Sequence, residues 1–277
     1  MAEILQKSAD DYTSRGHLDP AGFKQHITFN RYQPPADLAP FVSHFWVMSW
    51  NRGTELPYVS EQVMHKPYVD VYISKDDSGI QCTFLNRKDY KAEDENRIIG
   101  ARFLPGAFHS FWHWSMSGLR DKTIPLQQIF PEATEEFVKN TLSLPDQGAV
   151  PMLIELLRTK NPQPDVNIAV VNDIIATIET ENLQTVAQVA KRFAKSERWL
   201  QQLFQDYVGT GIKWLLQRNK LLEAAQSIRE TEDPDWVAMA YDLEYSSQQH
   251  FITDFKRVLG KTPLQYKKEL NKQKYSA

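Results

Sequence analysis

The sequence predicts an α+β fold: a β-barrel or sandwich-like N-terminal domain, a helical linker, and an all-α C-terminal domain with two helix-turn-helix units. Three observations predict it. Short apolar runs broken by Gly, Pro, Asp and Asn fill residues 41–130, which is typical of strands and turns. Apolar residues then recur at helical spacing from about residue 132 onward. Finally, a pattern of two short helices occurs twice in the last hundred or so residues.

The predicted boundaries divide the chain into four regions. They are an N-terminal tail or short helix (1–27), a β-rich domain (28–132), a helical linker and candidate dimerisation region (133–175), and the double helix-turn-helix domain (176–277). In the β-rich region, Val69, Val71 and Ile73 alternate with more polar residues, which is the period of a half-buried strand.

The first helix-turn-helix unit begins near Leu183. Thr185 can cap its first helix, and Ser196 starts its second. The apolar stripes of the two helices are Val186, Val189, Ala190 and Phe193, then Trp199, Leu200, Leu203, Phe204 and Tyr207. The outer face keeps Arg198, Gln201, Gln202 and Gln205. Arg and Gln can pair with base edges in a DNA major groove, although such a face on a single helix is more often simply solvated.

The second unit repeats this pattern, which strengthens the DNA-reading interpretation. Asp235 can cap its first helix and Ser247 its second. The apolar residues are Trp236, Val237, Met239, Ala240 and Leu243, then Phe251, Phe255 and Val258, and the outward residues are Ser247, Gln248, Gln249, Thr253 and Lys256. A last helix opens at Thr262-Pro263, with Pro at the first helical position.

A regular helix is predicted between the two units, over about residues 212–228. At 1.5 Å per residue it makes a rod of roughly 25 Å. With the flanking helices added, the second helices of the two units are expected about one DNA turn apart, on the order of 34 Å. One chain could then occupy two successive major grooves.

Residues 175–270 resemble the DNA-binding domain of the AraC/XylS family of bacterial transcription regulators. The residues that carry the resemblance are Ala190, Phe193, Ser196, Leu200 and Phe204 in the first unit, Gly209, Arg218, Leu221 and Ala224 between the units, and Ala240, Tyr245, Gln248, His250, Phe251, Phe255, Lys256, Arg257, Gly260, Thr262, Pro263 and Tyr266 in the second. The resemblance implies double-stranded DNA as a partner, and RNA polymerase as well if the protein is an activator.

By the family pattern, the base-contacting residues would be Arg198, Gln201 and Gln202 from the first unit and Gln248, Gln249 and Thr253 from the second. The candidate contacts to the DNA backbone are Lys195, Ser196, Lys213, Ser247, Lys256 and Lys261.

Three positions depart from the family pattern. The family usually has Gly in the turn of each unit, where the chain takes a left-handed conformation, and this sequence has Ala194 and Glu244 there. A non-Gly residue in that conformation costs roughly 1–2 kcal/mol, so either the turns adopt another geometry or the units are slightly strained. Thr253 stands where the family often has Arg. We therefore expect the first unit to supply more of the sequence-specific energy and the second mainly to position the protein.

Residues 28–132 resemble an N-terminal domain found on some regulators of the same family. The run from Ile98 to Phe108, which contains Arg-Phe-Leu-Pro-Gly-Ala-Phe, carries this resemblance. It implies a sensory role, exerted through a small-molecule effector or through self-association as a homodimer. The aromatic residues that could line a ligand pocket are Tyr68, Tyr72, Phe111, Trp112 and Trp114, although any one of them is more often ordinary core.

Composition argues against other classes of protein. Cys82 is the only cysteine, so the chain has no internal disulfide and no Cys-rich metal site, and cysteine-dependent DNA repair is disfavoured. The sequence has no G-x-S-x-G, no H-E-x-x-H and no phosphate-cradling Gly loop, so we expect no enzyme, no cofactor and no metal. No secretory signal and no apolar run of 18 or more residues occurs, so we expect a cytoplasmic protein with no membrane partner.

Charge leaves one alternative open. The net charge is −3, and residues 167–277 contain fifteen Lys and Arg against fourteen Asp and Glu. Because phosphate attraction dominates DNA affinity, this balance favours a ligand- or protein-binding module with weakened DNA affinity. Basic residues nevertheless cluster between Lys191 and Arg198, and the motif favours a sequence-specific transcription regulator.

Overall fold

The computed structural model describes residues 20–53, 56–62, 67–85 and 88–276. Residues 1–19 of the predicted tail lie outside this set, and Pro20–His26 forms a short helix, α1. The strands are β1 (Thr28–Tyr32), β2 (Val42–Asn51), β3 (Tyr58–Gln62), β4 (Asp70–Ile73), β5 (Gly79–Gln81), β6 (Lys88–Ala92), β7 (Glu95–Phe103) and β8 (Thr123–Pro125).

Within the described residues, the strands form two antiparallel sheets. The larger has six strands in the order β1-β2-β7-β4-β5-β8, and β3 pairs with β6 in a separate two-stranded sheet. The larger sheet is open, with β1 and β8 at its edges. Of the two forms that the sequence allowed, the domain therefore takes the sandwich-like one rather than a closed barrel.

Both faces of the central strands are covered. Val71 and Ile73 lie in the main core, whereas Tyr72 packs on the opposite face. The predicted alternation is therefore confirmed, but the strand is covered on both faces rather than half-buried. On that opposite face, the Trp46 ring lies flat on Gly100, where a Cβ atom would come within 2.3 Å of the indole. A side chain at position 100 would therefore displace the tryptophan.

Helix α2 (His109–Trp112) lies between β7 and β8 in sequence, and α3 (Glu135–Ser143) and α4 (Asp146–Arg158) follow β8. The Thr134 hydroxyl caps α3 by accepting the Phe137 N–H. The apolar face of α4, including Leu153 and Leu157, joins the main core with the inner face of the sheet. The opposite face is covered by α1 and the β3–β6 pair, through residues such as Phe23.

The C-terminal half is helical. Its helices are α5 (Val166–Thr180), α6 (Val186–Arg192), α7 (Glu197–Val208), α8 (Ile212–Glu230), α9 (Trp236–Asp242), α10 (Gln248–Leu259) and α11 (Pro263–Ser276). The predicted connector is confirmed as α8, whose 19 residues make a rod of about 28 Å. One end of α8 packs in the core of the first unit through Leu215, and the other end packs in the core of the second through Leu221 and Ile228.

The C-terminal end of α7 is fixed to the sheet-bearing half of the molecule. Tyr207 Oη donates to Asp165 Oδ2 at 2.5 Å, and the Tyr207 ring stacks on the His109 imidazole with 4.2 Å between centroids. The Thr83 hydroxyl donates to the Val208 carbonyl at 3.1 Å. The second helix of the first unit is therefore held by both halves of the chain.

Candidate nucleic-acid interface

The first unit consists of α6 and α7, and each helix begins at a cap. Thr185 and Gln188 form a capping box, in which the Thr185 hydroxyl accepts the Gln188 N–H and the Gln188 side chain accepts the Thr185 N–H. The Ser196 hydroxyl accepts the Trp199 N–H at 3.1 Å. These bonds satisfy the first-turn amides and fix the direction of α7.

The second unit consists of α9 and α10 and has the same arrangement. Asp235 Oδ1 accepts the N–H groups of Val237 and Ala238 at 2.9 and 3.0 Å. The Ser247 hydroxyl accepts the His250 N–H at 3.2 Å. The three caps that the sequence predicted, at Thr185, Asp235 and Ser247, are confirmed, and α7 starts after Ser196 as predicted.

The turn of each unit is left-handed despite the missing glycine. Ala194 has φ +50° and Glu244 has φ +57°. In the first turn, the Lys195 N–H reaches back to the Ala190 carbonyl at 3.0 Å, and an equivalent bond of 2.9 Å closes the second turn. This is the Schellman motif, whose left-handed position usually holds Gly. Of the two alternatives left open by the sequence, the strained turn is therefore the one present.

On α7, the predicted base-contacting residues Arg198, Gln201 and Gln202 are all exposed. The Gln202 amide donates to Asp206 Oδ2 at 2.9 Å, one turn further along the helix. The Gln201 amide lies against Gly211, where a Cβ atom would come within 2.4 Å of Nε2. This face thus presents one arginine and two glutamines to solvent.

On α10, Gln249 and Thr253 are exposed and Gln248 is half-buried. The Thr253 hydroxyl donates to the Gln249 carbonyl at 2.8 Å, so its donor is used within the helix. The two sets of candidate base-contacting residues lie on separate helices, joined by α8.

The candidate backbone contacts differ in how accessible they are. Lys195, Lys213 and Lys256 are exposed, as are the capping residues Ser196 and Ser247. Lys261 is different, because it forms an ion pair with Glu269 and only 12% of its side chain is exposed. A phosphate contact from Lys261 would require this pair to open.

A charged network on α10 was not anticipated from the sequence. The buried Asp254 carboxylate accepts from Arg257 at 2.7 Å and from the Gln217 amide of α8. His250 Nε2 lies 3.6 Å from the same carboxylate. The i,i+3 and i,i+4 spacing of these three α10 residues is a signal that could have identified them. The network fixes α10 against α8 and thereby sets the angle of the second unit.

The five candidate ligand-lining aromatics do not form one pocket, although the rings of Trp112 and Trp114 meet edge-on with 5.4 Å between centroids. Phe111 is packed in the main core, Tyr72 lies on the opposite face of the sheet, and Trp114 is 68% exposed. Tyr68 is buried against Arg102, whose guanidinium carbon is 4.1 Å from the ring centroid. An open groove of about 1130 Å³ lies at one end of the sheet, lined by charged and polar residues with Trp50, but none of the five candidates lines it.

Two further features are absent from the described residues. No helix in the described part of the chain is both long and apolar enough to cross a membrane. Among the same residues, no three His, Cys, Asp or Glu side chains are grouped so that they could hold a metal ion.

Two helix-turn-helix units with matching caps and turns, set at the two ends of one helix, define a DNA-binding transcription regulator. Comparison with known families agrees: residues 189–269 match the family described as "Helix-turn-helix domain", and residues 30–125 match "Domain of unknown function (DUF6597)". The chain belongs to the AraC family of bacterial transcription regulators, and it is a regulator rather than an enzyme.

Two relatives, SoxS and PqrA, support this membership. The chain is 33% identical to the regulatory protein SoxS of Escherichia coli K12 over 103 residues. This match covers 36% of this chain and 95% of SoxS. It is 30% identical over 102 residues to the "Probable transcription factor PqrA" of Proteus vulgaris, covering 35% of this chain and 83% of PqrA. Among solved structures, ToxT from Vibrio cholerae O395 is 13% identical, with a TM-score of 0.35 over 89% of this chain and 98% of ToxT.

Proposed function

We propose that this regulator reads a two-part DNA site with α7 and α10, and that α7 supplies most of the base selectivity. The observation that carries the proposal is the exposed set of Arg198, Gln201 and Gln202 on a helix whose start is capped and whose end is docked. Arg paired with guanine and Gln paired with adenine are favourable major-groove contacts, each worth about 1–3 kcal/mol of discrimination. The length of α8, about 28 Å, fits two units that span successive grooves.

The second unit is proposed to position the protein more than to select bases. The Thr253 hydroxyl is already bonded to a backbone carbonyl, and Gln248 is half-buried, which leaves Gln249 as its most accessible amide. The exposed Lys256 and the Ser247 cap suit phosphate contacts, while Lys195, Ser196 and Lys213 serve the first unit in the same way. Lys261 joins them once its pair with Glu269 opens.

The N-terminal domain is proposed to tune DNA binding through a small-molecule effector or through self-association as a homodimer. Support comes from the docking of α7, because a change in the sheet-bearing half would act directly on Tyr207 through His109 and on Val208 through Thr83. If the protein activates transcription, RNA polymerase is a further partner. Since the bacterial chromosome is its target, we place the protein in the cytoplasm.

Selection of binding sites from random duplex DNA, with the intact protein, tests the proposal. The expected result is one preferred site whose affinity falls steeply with salt. Arg198→Ala is expected to weaken binding to that site by about 1–3 kcal/mol and to relax base choice at one position. Gln147→Ala, which changes an exposed glutamine on α4, serves as the matched control and should change neither property.

Two outcomes would contradict the proposal. If Arg198→Ala and Gln202→Ala both leave selectivity unchanged, α7 is not the base-reading helix. If no duplex binds even at low salt, the chain is instead a ligand- or protein-binding module with weakened DNA affinity.

A further inference from the structure

Arg218 is a buried cation at the junction between the two halves of the molecule. It lies on α8, and only 1% of the residue is exposed. Its Nη2 donates to the Leu85 carbonyl at 2.9 Å, in the segment that follows β5, and its guanidinium carbon is 4.8 Å from the Trp214 ring centroid. Its Nε and Nη1 atoms are buried and have no hydrogen-bond partner in the described part of the chain.

The neighbouring Arg102 shows what Arg218 lacks. Arg102 forms a two-bond pair with the Asp70 carboxylate, with N···O distances of 2.8 and 2.6 Å. No such carboxylate is bonded to Arg218 among the described residues. Arg102 is therefore neutralised by a bonded carboxylate, whereas Arg218 has no such partner among the described residues.

The groups around Arg218 do not remove its charge. Tyr68, Arg257 and Asp121 interact with it electrostatically, and Arg257 is itself a cation that is bonded to Asp254. Asp121 is exposed, and its carboxylate accepts the Leu85 N–H at 2.8 Å. Desolvation lowers the pKa of Arg218 to about 10, so the guanidinium is still charged at neutral pH. A buried charge without a hydrogen-bonded counter-ion is costly, so an anion that reaches this position gains affinity from relieving that cost.

We propose that Arg218 anchors a binding site for a small oxyanion, a carboxylate or a phosphate group, between the sheet-bearing half and α8. The guanidinium offers five N–H donors in a planar fork that matches such groups, and only one of its nitrogens is bonded to Leu85. The aromatic rings of Trp214 and Tyr68 flank the position. This inference deepens the effector regulation proposed above by naming the chemistry of the effector, and it rests on that proposal only for the effect on DNA binding.

The site has a defined consequence for the two units. Since α8 packs in the cores of both units, a ligand held by Arg218 and the Leu85 segment ties both units to the sheet-bearing half. An occupied site should therefore stiffen the junction that also holds Tyr207, and DNA affinity should change with occupancy.

Thermal unfolding of the full chain tests for the site without any DNA. Sodium phosphate and sodium benzoate are the two probes, each compared with sodium chloride at equal ionic strength. We expect at least one probe to raise the Tm saturably, by roughly 2–3 °C when free ligand exceeds Kd tenfold. Arg218→Gln should abolish the rise, and Lys139→Gln, an exposed lysine on α3, should keep it. No rise above chloride for either probe, or a full rise in Arg218→Gln, would overturn the site.

An internal counter-ion is the competing explanation, and Asp121 is its candidate. In buffer without phosphate or carboxylate, Arg218→Met should leave the Tm unchanged or raise it, because it removes an uncompensated buried charge. A large loss of Tm in both Arg218→Met and Asp121→Asn, with no further loss in the double variant, would instead indicate an ion pair and overturn the proposal. A probe-dependent Tm rise in a chain that binds no DNA would keep the site while refuting the proposed function.

Discussion

Replacing Ala194 by glycine is expected to stabilise the protein, because Ala194 occupies a left-handed turn with φ +50°. An L-residue there costs roughly 1–2 kcal/mol relative to the right-handed region. Glycine removes this cost but gains backbone entropy in the unfolded chain, which offsets about 0.4–1 kcal/mol. Ala194 is exposed, so its methyl group contributes little burial. The net expectation for Ala194→Gly is a stabilisation of about 0.5–1 kcal/mol.

Urea unfolding of the full chain, followed by far-UV circular dichroism, measures this change. Ala176→Gly is the matched control, since Ala176 is exposed within α5 and has an ordinary helical conformation. There, the same substitution should destabilise by about 1 kcal/mol. The two substitutions are thus expected to have opposite signs.

The second turn offers an internal comparison. Glu244 also has a positive φ, but its carboxylate lies 3.4 Å from Lys220 Nζ. Glu244→Gly loses this partly exposed ion pair, worth about 0–1 kcal/mol, so its gain should be smaller than that of Ala194→Gly. If Ala194→Gly destabilises as much as Ala176→Gly, the first turn is not left-handed in solution and the strain argument is wrong.

Three further predictions concern the rest of the molecule. Burial raises the pKa of the Cys82 thiol to about 12. A disulfide reagent at about pH 8 should therefore label Cys82 only after the chain is unfolded. Rapid labelling of the native protein would mean that the thiol is accessible. Burial, aided by the nearby arginines, lowers the pKa of His44 to about 3. Below pH 6.5 the unfolded chain therefore binds a proton that the folded chain does not bind, so the stability should fall as the pH drops from 6.5 towards 3. If the stability of His44→Gln declines just as steeply, other groups cause the decline. Tyr207→Phe removes the hydroxyl that donates to Asp165 and accepts from the Asn167 amide, so urea unfolding should show a loss of stability of about 1–2 kcal/mol. An unchanged unfolding midpoint would show that these two bonds contribute nothing.

The helix-turn-helix units were predictable because their signals are local. A cap needs only a residue such as Ser196 and the amides within the next turn, so Thr185, Ser196, Asp235 and Ser247 could all be assigned from spacing. The same holds for Pro263, which opens α11. The handedness of the turns was not decided by the sequence, because local strain at a turn yields to the hydrogen bonds and packing around it.

The junction between the two halves was not predictable. Arg218 was recognised as part of a family pattern, but its bond to Leu85 joins residues 133 positions apart. Tyr207 was expected in the buried stripe of α7, yet its hydroxyl is bonded to Asp165 and its ring rests on His109. The aromatic residues proposed for a pocket were chosen by type alone. Tyr72 lies on β4 with its ring on the outer face of the sheet, whereas Phe111 lies on α2 and packs in the main core.

The central claim is that one chain reads two successive major grooves, with α7 as the more selective helix. Methylation interference on the selected DNA site, with the intact protein, tests this claim most directly. The account predicts two patches of interference on one face of the duplex, centred about 10–10.5 base pairs apart. The double variant Gln248→Ala, Gln249→Ala should leave the base preferences of the α10 patch intact. Arg198→Ala should relax the base preferences of the α7 patch, which is the stronger of the two. A single patch, or a larger loss of selectivity from the two α10 glutamines than from Arg198, would contradict the account.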